Sequence, residues 1–495
     1  MRRIVVLIVL LICFPGLVHA ADRPRLRELG IEPGILQPGP LNAITDVAGV
    51  KVGQVALIEG RSVRTGVTAI VPHGGNVFQT KVPAAVFPAN AFGKAAGFLQ
   101  IKELGNLETP IILTNTLCVG TAVQAVVDWT LRQPGNEEVW SVNAVVGETN
   151  DGWLNDIRRC AIRDVDVERA IEDAEGGPVA EGSVGAGAGT SAFGWKGGIG
   201  TASRLLPESL GGFTVGALVQ SNFGGVLTID GMRVGEALGR YSFRDQAAPE
   251  GGSCMIVLAT DAPLSPRNLE RMASRAVMGL ARTGSFMANG SGDFVIAFST
   301  RNELAFEDVH ATRSDELLNN DFTSPLFLAT VEAVEEAVLN SLLKATTVTG
   351  YQGHTREAFP VDALRSMLHD ETNGEAGMGQ EEHDRRIDYV EFATTDIGVA
   401  KAFYSAVFGW SMEDWGPEYT SFADGRLAGG FRKADAVAKG GGVLVVIYAV
   451  DLEAVAAAVK ANGGTIVEEI FSFPGGRRFH FTDPSGNELA VWSER

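Results

Sequence analysis

The run "EGGSCMIVLATDA", Glu250 to Ala262, puts a small hydroxyl residue, Ser253, between two glycines and an apolar strand. A turn calls for glycine and a strand for Ile, Val and Leu, so neither needs the serine. One chemistry would use it. Glycine tolerates backbone angles that a side chain forbids, and a hydroxyl held against the preceding carbonyl can attack it, giving an ester that water releases. The chain would then break between Gly252 and Ser253. The α-amine so exposed, with an ordinary pKa of about 8, can act as base for its own hydroxyl, and no histidine is needed. A plain hairpin turn ahead of a strand accounts for the same letters.

Other chemistries fit less well. The histidines are His19, His73, His310, His354, His369, His383 and His480, and no G-x-S-x-G elbow occurs to pair with them. In the glycine-rich run from Glu181 to Arg204, Gly187-x-Gly189-x-x-Ala192 approximates a dinucleotide fingerprint. The segment before it, "VERAIEDAEGG", reads as an acidic helix rather than a strand, and Lys196 is followed by glycine, so the phosphate-loop pattern fails too. Close backbone packing around a pocket is the better account. No Cys/His cluster has zinc spacing, and Cys118 and Cys254 lie in apolar runs that bury them.

The elements that must position Ser253 alternate through residues 42 to about 362. "TGVTAIVPHG", "PIILTNT", "WSVNAVVGET", "FTVGALVQS", "CMIVLATD" and "DFVIAFST" read as strands. Two helices start with Ser-Pro, capped by Ser265 and by Ser324. His369 to Arg386 is polar and acidic and reads as a linker; 387–495 is a small α+β unit whose design repeats, with Asp396 and Asp451 capping its two helices.

With 495 residues, 45% hydrophobic and 20% charged, the chain suits two or three domains with a sizeable core. A net charge of −19 argues against nucleic acid or an anionic membrane as partner. The first twenty residues carry Arg2 and Arg3, an apolar run and the small-residue end Val18-His19-Ala20, the form of a secretory signal peptide. The expected mature chain starts at Ala21, is exported to the periplasm or beyond, and has no membrane anchor.

Eight phrases in order, "ITDVAGVKVG", "GVTAIVPHGGNVFQTKVPAAV", "TPIILTNTLCVG", "VVGETNDGWLND", "GAGAGTSAFGWKGGIGTASR", "QSNFGG", "GGSCMIVLATDAPL" and "NGSGDFVIAFST", resemble the L-aminopeptidase/D-esterase family, which includes the β-peptidyl aminopeptidases. The resemblance implies an α/β fold of the N-terminal-nucleophile type, an αββα sandwich, spanning residues 21–368. It implies self-cleavage between Gly252 and Ser253, with Ser253 as nucleophile. By the same motifs Asn222 is the oxyanion donor, and Ser291 and Asp293 position the nucleophile and its amine. Glu148 receives the substrate's amino group. Members often carry tyrosine where this chain has Asn150; the resemblance implies that Asn150 binds substrate by hydrogen bonding without a phenol's proton transfer, while a turn after a strand explains Asn150 and Asp151 equally well. The implied substrates are short peptides, amides or esters with a free N-terminus, D- or β-residues included. No cofactor is implied, and the implied assembly is an oligomer of processed heterodimers. An ornithine-acetyltransferase-like acyl transferase, which cuts itself at threonine, and a non-catalytic binding protein are the rivals.

"AKAFYSAVFGW" and "FTDPSGNELAVW" resemble the glyoxalase/bleomycin-resistance/extradiol-dioxygenase superfamily, built from paired βαβββ modules. The places where that group holds a divalent metal fall on Tyr389, Val445 and Ala490, which offer no ligand set, so no metal is expected. His480 and Glu391 are the nearby candidates for a displaced site, with a solvated strand face as the plainer account.

Overall fold

The computed structural model describes residues 23–244, 252–307, 310–372, 389–425, 427–437, 444–473 and 476–494. The expected leader, the loop residues 248–251 and residues 373–386 of the expected linker lie outside the described residues. The chain divides into two compact units, Met1–Val361 and Asp362–Arg495.

In the first unit the strands are β1 (Lys51–Glu59), β2 (Val63–Val71), β3 (Thr80–Ala91), β4 (Ile111–Asn115), β5 (Val145–Thr149), β6 (Ile199–Leu205), β7 (Thr214–Asn222), β8 (Ser253–Thr260) and β9 (Gly292–Ser299). The main helices are α1 (Val119–Leu131), α2 (Asp164–Glu172), α3 (Pro266–Arg282) and α4 (Ser324–Leu343). A smaller sheet has the order β1-β2-β4-β5, and a larger one runs β3-β9-β8-β7-β6. In the larger sheet β8 and β9 are parallel, and the other neighbours in that order are antiparallel.

Both faces of these strands are apolar, which requires cover on both sides. Ile70, Leu113 and Val145 of the smaller sheet pack in one cluster with Val86, Leu218, Met255, Val257 and Ile296 of the larger. The outer face of the smaller sheet buries Val67, Ala69 and Val146 against Ala122 and Val126 of α1 and Val167 and Ala170 of α2. Helices α3 and α4 cover the larger sheet. The order of layers is therefore α, β, β, α, as the resemblance implied.

Local signals behave as their chemistry requires, with two differences. Ser265 Oγ accepts the Asn268 N–H at 3.3 Å ahead of Pro266. At α4, however, Ser324 is already helical, and Thr323 takes the cap position with no side-chain cap bond. A 3₁₀ turn, Asn320–Phe322, leads straight into this helix, so the chain never adopts the extended entry that a serine cap needs. The strand expected from Trp140 begins only at Val145, and Trp140 is 92% exposed.

Helix α5 (Val361–Thr372) runs four residues into the expected linker. The second unit then repeats one βαβββ design. Its first copy is β10 (Tyr389–Thr394), α6 (Ile397–Phe408), β11 (Ser411–Asp414), β12 (Tyr419–Ala423) and β13 (Ala428–Lys433). The second is β14 (Val445–Tyr448), α7 (Leu452–Ala461), β15 (Thr465–Phe473), β16 (Gly476–Thr482) and β17 (Glu488–Ser493). The sheets share one topology, β10-β13-β12-β11 and β14-β17-β16-β15. Asp396 and Asp451 cap the helices, accepting the N–H of Val399 at 3.1 Å and of Ala454 at 2.9 Å. Among the described residues no helix is long and apolar enough to cross a membrane.

Candidate active site

Three strand ends meet at one edge of the larger sheet. β7 ends at Asn222, β8 begins at Ser253, and β9 begins at Gly292. In the ladders Asn222 is the partner of Ser253 on one side and Gly292 its partner on the other. Register alone thus brings together residues far apart in sequence. Ser253 is the first residue of its strand, 5% exposed. Its hydroxyl donates to the Gly252 carbonyl at 2.6 Å, and the Gly292 N–H donates to the same oxygen at 3.1 Å. Gly252 has no room for a side chain: a Cβ would lie 2.9 Å from Phe223 Cβ, 3.0 Å from Phe223 Cα and 3.1 Å from Ser291 Oγ.

The Asn222 amide is oriented from both ends. Its Oδ1 accepts the Ser191 N–H at 3.0 Å, and Nδ2 donates to the Asn150 carbonyl at 3.0 Å. A primary amide has two N–H groups, and that bond uses one. Ser291 Oγ donates to Asp293 Oδ1 at 2.9 Å. Burial pushes the Asp293 carboxyl up to about 6, partly offset by that bond. Glu148, 3% exposed, accepts the Lys94 N–H at 3.0 Å on Oε1 and the Thr116 hydroxyl on Oε2. Gly93 links it to the strand ends: Glu148 Oε1 lies 3.1 Å from where a Gly93 Cβ would sit, and Gly93 Cα lies 3.4 Å from where a Gly292 Cβ would sit. Asn150 is exposed, and its side-chain oxygen accepts the Gly152 N–H at 2.9 Å. Its side chain therefore shapes a turn, while its backbone carbonyl steadies Asn222.

Sequence reasoning missed the residues that hold this edge in place. Asn90 Nδ2 donates to the carbonyls of Ala288 at 2.9 Å and Ser291 at 2.7 Å, fixing the turn that delivers Ser291 and Gly292. Gln220 Nε2 donates to Thr149 Oγ1 at 2.9 Å and to the Thr114 carbonyl at 3.2 Å, joining the two sheets below Asn222. Lys196 is wholly buried, its ammonium donating at 2.7 Å to each of the Gly187 and Gly197 carbonyls. Burial pulls it down to about 7 and pushes nearby Asp151 up to about 7. In the sequence Lys196 was legible only as part of a failed phosphate loop. The glycines around it do pack backbone to backbone; a Cβ on Gly189 would strike the Arg64 carbonyl.

In the second unit a cross-sheet row reads Val446, Ala490, His480, Glu468. Val446, and not Val445, therefore shares a face with Ala490 and His480. Val445 pairs with Leu489 and turns toward the core, because a shift of one residue in a strand reverses the face. The Tyr389 and Tyr419 hydroxyls are 2.6 Å apart. Arg432 Nε donates to Glu391 Oε1 at 3.2 Å, and His480 Nδ1 is 3.2 Å from Glu488 Oε1. Glu391 and His480 thus each face a partner on their own module, in different sheets. Among the described residues no group of three His, Cys, Asp or Glu is placed to hold a metal ion.

Residues 386–491 match the family model described as Glyoxalase/Bleomycin resistance protein/Dioxygenase superfamily. Residues 42–356 match the model for Peptidase family S58. Over 373 residues the chain is 42% identical to the β-peptidyl aminopeptidase BapA of Sphingosinicella microcystinivorans, covering 70% of this chain and 93% of that one. A β-aminopeptidase structure from Burkholderia sp. is 42% identical, with TM-score 0.65, over 69% of this chain and 99% of that one. The L-aminopeptidase D-Ala-esterase/amidase of Ochrobactrum anthropi, described as a variant of the Ntn hydrolase fold, is 37% identical. Its TM-score is 0.65, over 70% of this chain and 99% of that one. With a family model matching well over half of its length and relatives that it covers almost end to end, the chain belongs to peptidase family S58.

Proposed function

We propose that this serine aminopeptidase cuts itself between Gly252 and Ser253 and then uses Ser253 to release N-terminal residues from short peptides, amides or esters. The observation that carries the reading is the Ser253 hydroxyl, 2.6 Å from the Gly252 carbonyl oxygen that the Gly292 N–H also holds. Both donors draw electron density from that carbonyl. Attack by Oγ on its carbon forms the ester and breaks the peptide C–N bond, and the hydroxyl proton passes to the leaving nitrogen. Water hydrolyses the ester, leaving the Gly252 carboxylate, the free hydroxyl and the Ser253 α-amine.

In turnover that amine takes the hydroxyl proton as Oγ attacks the substrate carbonyl, and passes it to the leaving nitrogen. The second N–H of Asn222 is the donor to the oxyanion. The carboxylate of Asp293, reached through Ser291, holds the ammonium form of Ser253 in place, and Glu148 pairs with the substrate's own ammonium. Water then releases the acyl group. The names of the relatives favour β-amino acids at the substrate N-terminus. The leader-like first twenty residues support export to the periplasm or beyond, and the working form is an oligomer of processed heterodimers.

Intact mass and N-terminal sequencing of the wild type and Ser253→Ala test this reading, together with amine release from an aminoacyl p-nitroanilide. Two chains meeting at Gly252/Ser253, absent in the variant along with the activity, are expected. A single uncut wild-type chain would leave "GGS" as a turn and remove the nucleophile.

A further inference from the structure

The Asn222 amide is gripped by two loops that do not belong to its own strand. One is the segment from Gly187 to Gly197, which brings the Ser191 N–H to Oδ1 at 3.0 Å. The other is the turn from Asn150 to Asn155, which brings the Asn150 carbonyl to Nδ2 at 3.0 Å. Each loop is fastened by one buried charge. Lys196 pairs with Ser191 in a short hairpin ladder, and its ammonium donates at 2.7 Å to the carbonyls of Gly187 and Gly197, the two ends of that loop. A loop rich in glycine has few side chains to lock it, and two charge-assisted bonds make a strong clip. Asp151 directly follows Asn150. Its Oδ1 accepts the Asn155 side-chain amide at 3.0 Å, and its carbonyl accepts the Leu154 and Asn155 N–H groups at 3.1 and 3.0 Å. Asn155 Oδ1 in turn accepts the Arg64 N–H of β2 at 3.1 Å, which ties the turn to the smaller sheet. The loops meet at Gly189, where a Cβ would lie 2.9 Å from Asp151 Cβ. Lys196 and Asp151 are both buried; burial disfavours each charge, and the attraction between the two opposes it.

We propose that Lys196 and Asp151 are a positioning pair for the oxyanion donor: by fastening the two loops that hold the Asn222 amide, they aim its second N–H at the oxyanion. The inference rests on the aminopeptidase reading and adds what pre-organises its donor. A donor is worth most when it is already in place as charge develops, and an amide held at one end only can swing about its Cβ–Cγ bond. Both residues are buried, so they act through Asn222 and not on the substrate. Loss of either leaves the other's burial uncompensated, so the two single variants fail alike.

The test uses the two-chain enzyme, with kcat and KM for an aminoacyl p-nitroanilide expressed per processed molecule. Lys196→Met keeps the stem and drops the ammonium; Asp151→Asn keeps the shape and drops the charge. Each is expected to lower kcat ~10- to 100-fold, with KM within about 2-fold of wild type, the mark of an interaction made in the transition state. Removing a donor outright costs about 10²–10³ in kcat, so Asn222→Ala sets the limit. In the Asn222→Ala background either substitution then changes kcat by less than about 2-fold, because the amide it positions is gone. A purely structural role gives the same loss in both backgrounds, and that result overturns the proposal, as does a wild-type kcat in both single variants. Asn222→Ala is expected to cut itself, since Gly292 holds the Gly252 carbonyl. A pair variant that stays uncut while Asn222→Ala cuts places the pair's action beyond the amide and overturns the proposal too. If Asn222→Ala stays uncut, both pair variants must be slow to cut, and cutting at the wild-type rate overturns it. A two-chain wild type that leaves the anilide intact overturns the aminopeptidase reading and the pair's role with it.

Discussion

Replacing Gly252 by alanine adds one methyl group at the bond that breaks. The backbone there is not in the left-handed region, so the cost is contact and not conformation. The new Cβ would meet Phe223 Cβ at 2.9 Å, Phe223 Cα at 3.0 Å and Ser291 Oγ at 3.1 Å. Of these only the serine hydroxyl can rotate away. The Phe223 carbonyl accepts the Phe193 N–H at 2.8 Å, and its ring packs edge-on to Phe193 with centroids 5.1 Å apart, so the phenylalanine cannot retreat. Gly252 must move instead, and its carbonyl is the group held by Gly292 at 3.1 Å. A shift of a few tenths of an ångström stretches that bond past the useful range. Overpacking by one methyl costs about 1–3 kcal/mol, which if borne at the transition state slows self-cleavage roughly 5- to 150-fold. The assay is the appearance of two chains with time after refolding, read by intact mass. An alanine variant that processes as fast as the wild type would refute the claim that contact at Gly252 aligns the carbonyl.

Two further outcomes follow from buried charge. Burial raises the Asp293 carboxyl from 3.8 to about 6, so between those values the native state binds the extra proton and this group's contribution to stability declines as pH rises. If the ionised form is the working one, self-cleavage speeds up as pH passes about 6, and Asp293→Asn is slow with no such inflection; a wild-type rate flat from pH 5 to 8 counts against it. Arg204 is fully buried and binds Glu332 Oε2 at 3.1 Å and Glu336 Oε2 at 2.9 Å, so Arg204→Met takes the guanidinium from two buried carboxylates and leaves Glu332 with the Ile35 and Leu36 N–H groups and Glu336 with Arg27. The expected loss is about 3–5 kcal/mol in urea unfolding of the first unit, and a loss below about 1 kcal/mol would mean that the network contributes little.

The sequence by itself determined what depends on near neighbours. The Ser265, Asp396 and Asp451 caps, the strand from Ser253 to Thr260 and the repeated βαβββ design are patterns within a few residues, and the backbone obeys them locally. Ordered motifs also marked Ser253, Asn222, Ser291, Asp293 and Glu148 as one set. Tertiary structure decided what depends on how distant segments meet. Nothing in "QSNFGG" states that Asn222 lies opposite Ser253, or that its amide nitrogen donates to the Asn150 carbonyl. Asn90 lies outside every motif phrase, and the phrases that contain Gln220 and Lys196 give neither a role, because each of the three acts on backbone carbonyls that other strands and loops bring to it. The face of Val445 turned on a single step of register, and the entry to α4 on the turn that precedes it. Local propensity is written in adjacent side chains; strand register and burial are settled only when the two sheets close on each other, since only then does each polar group find or lose its partner.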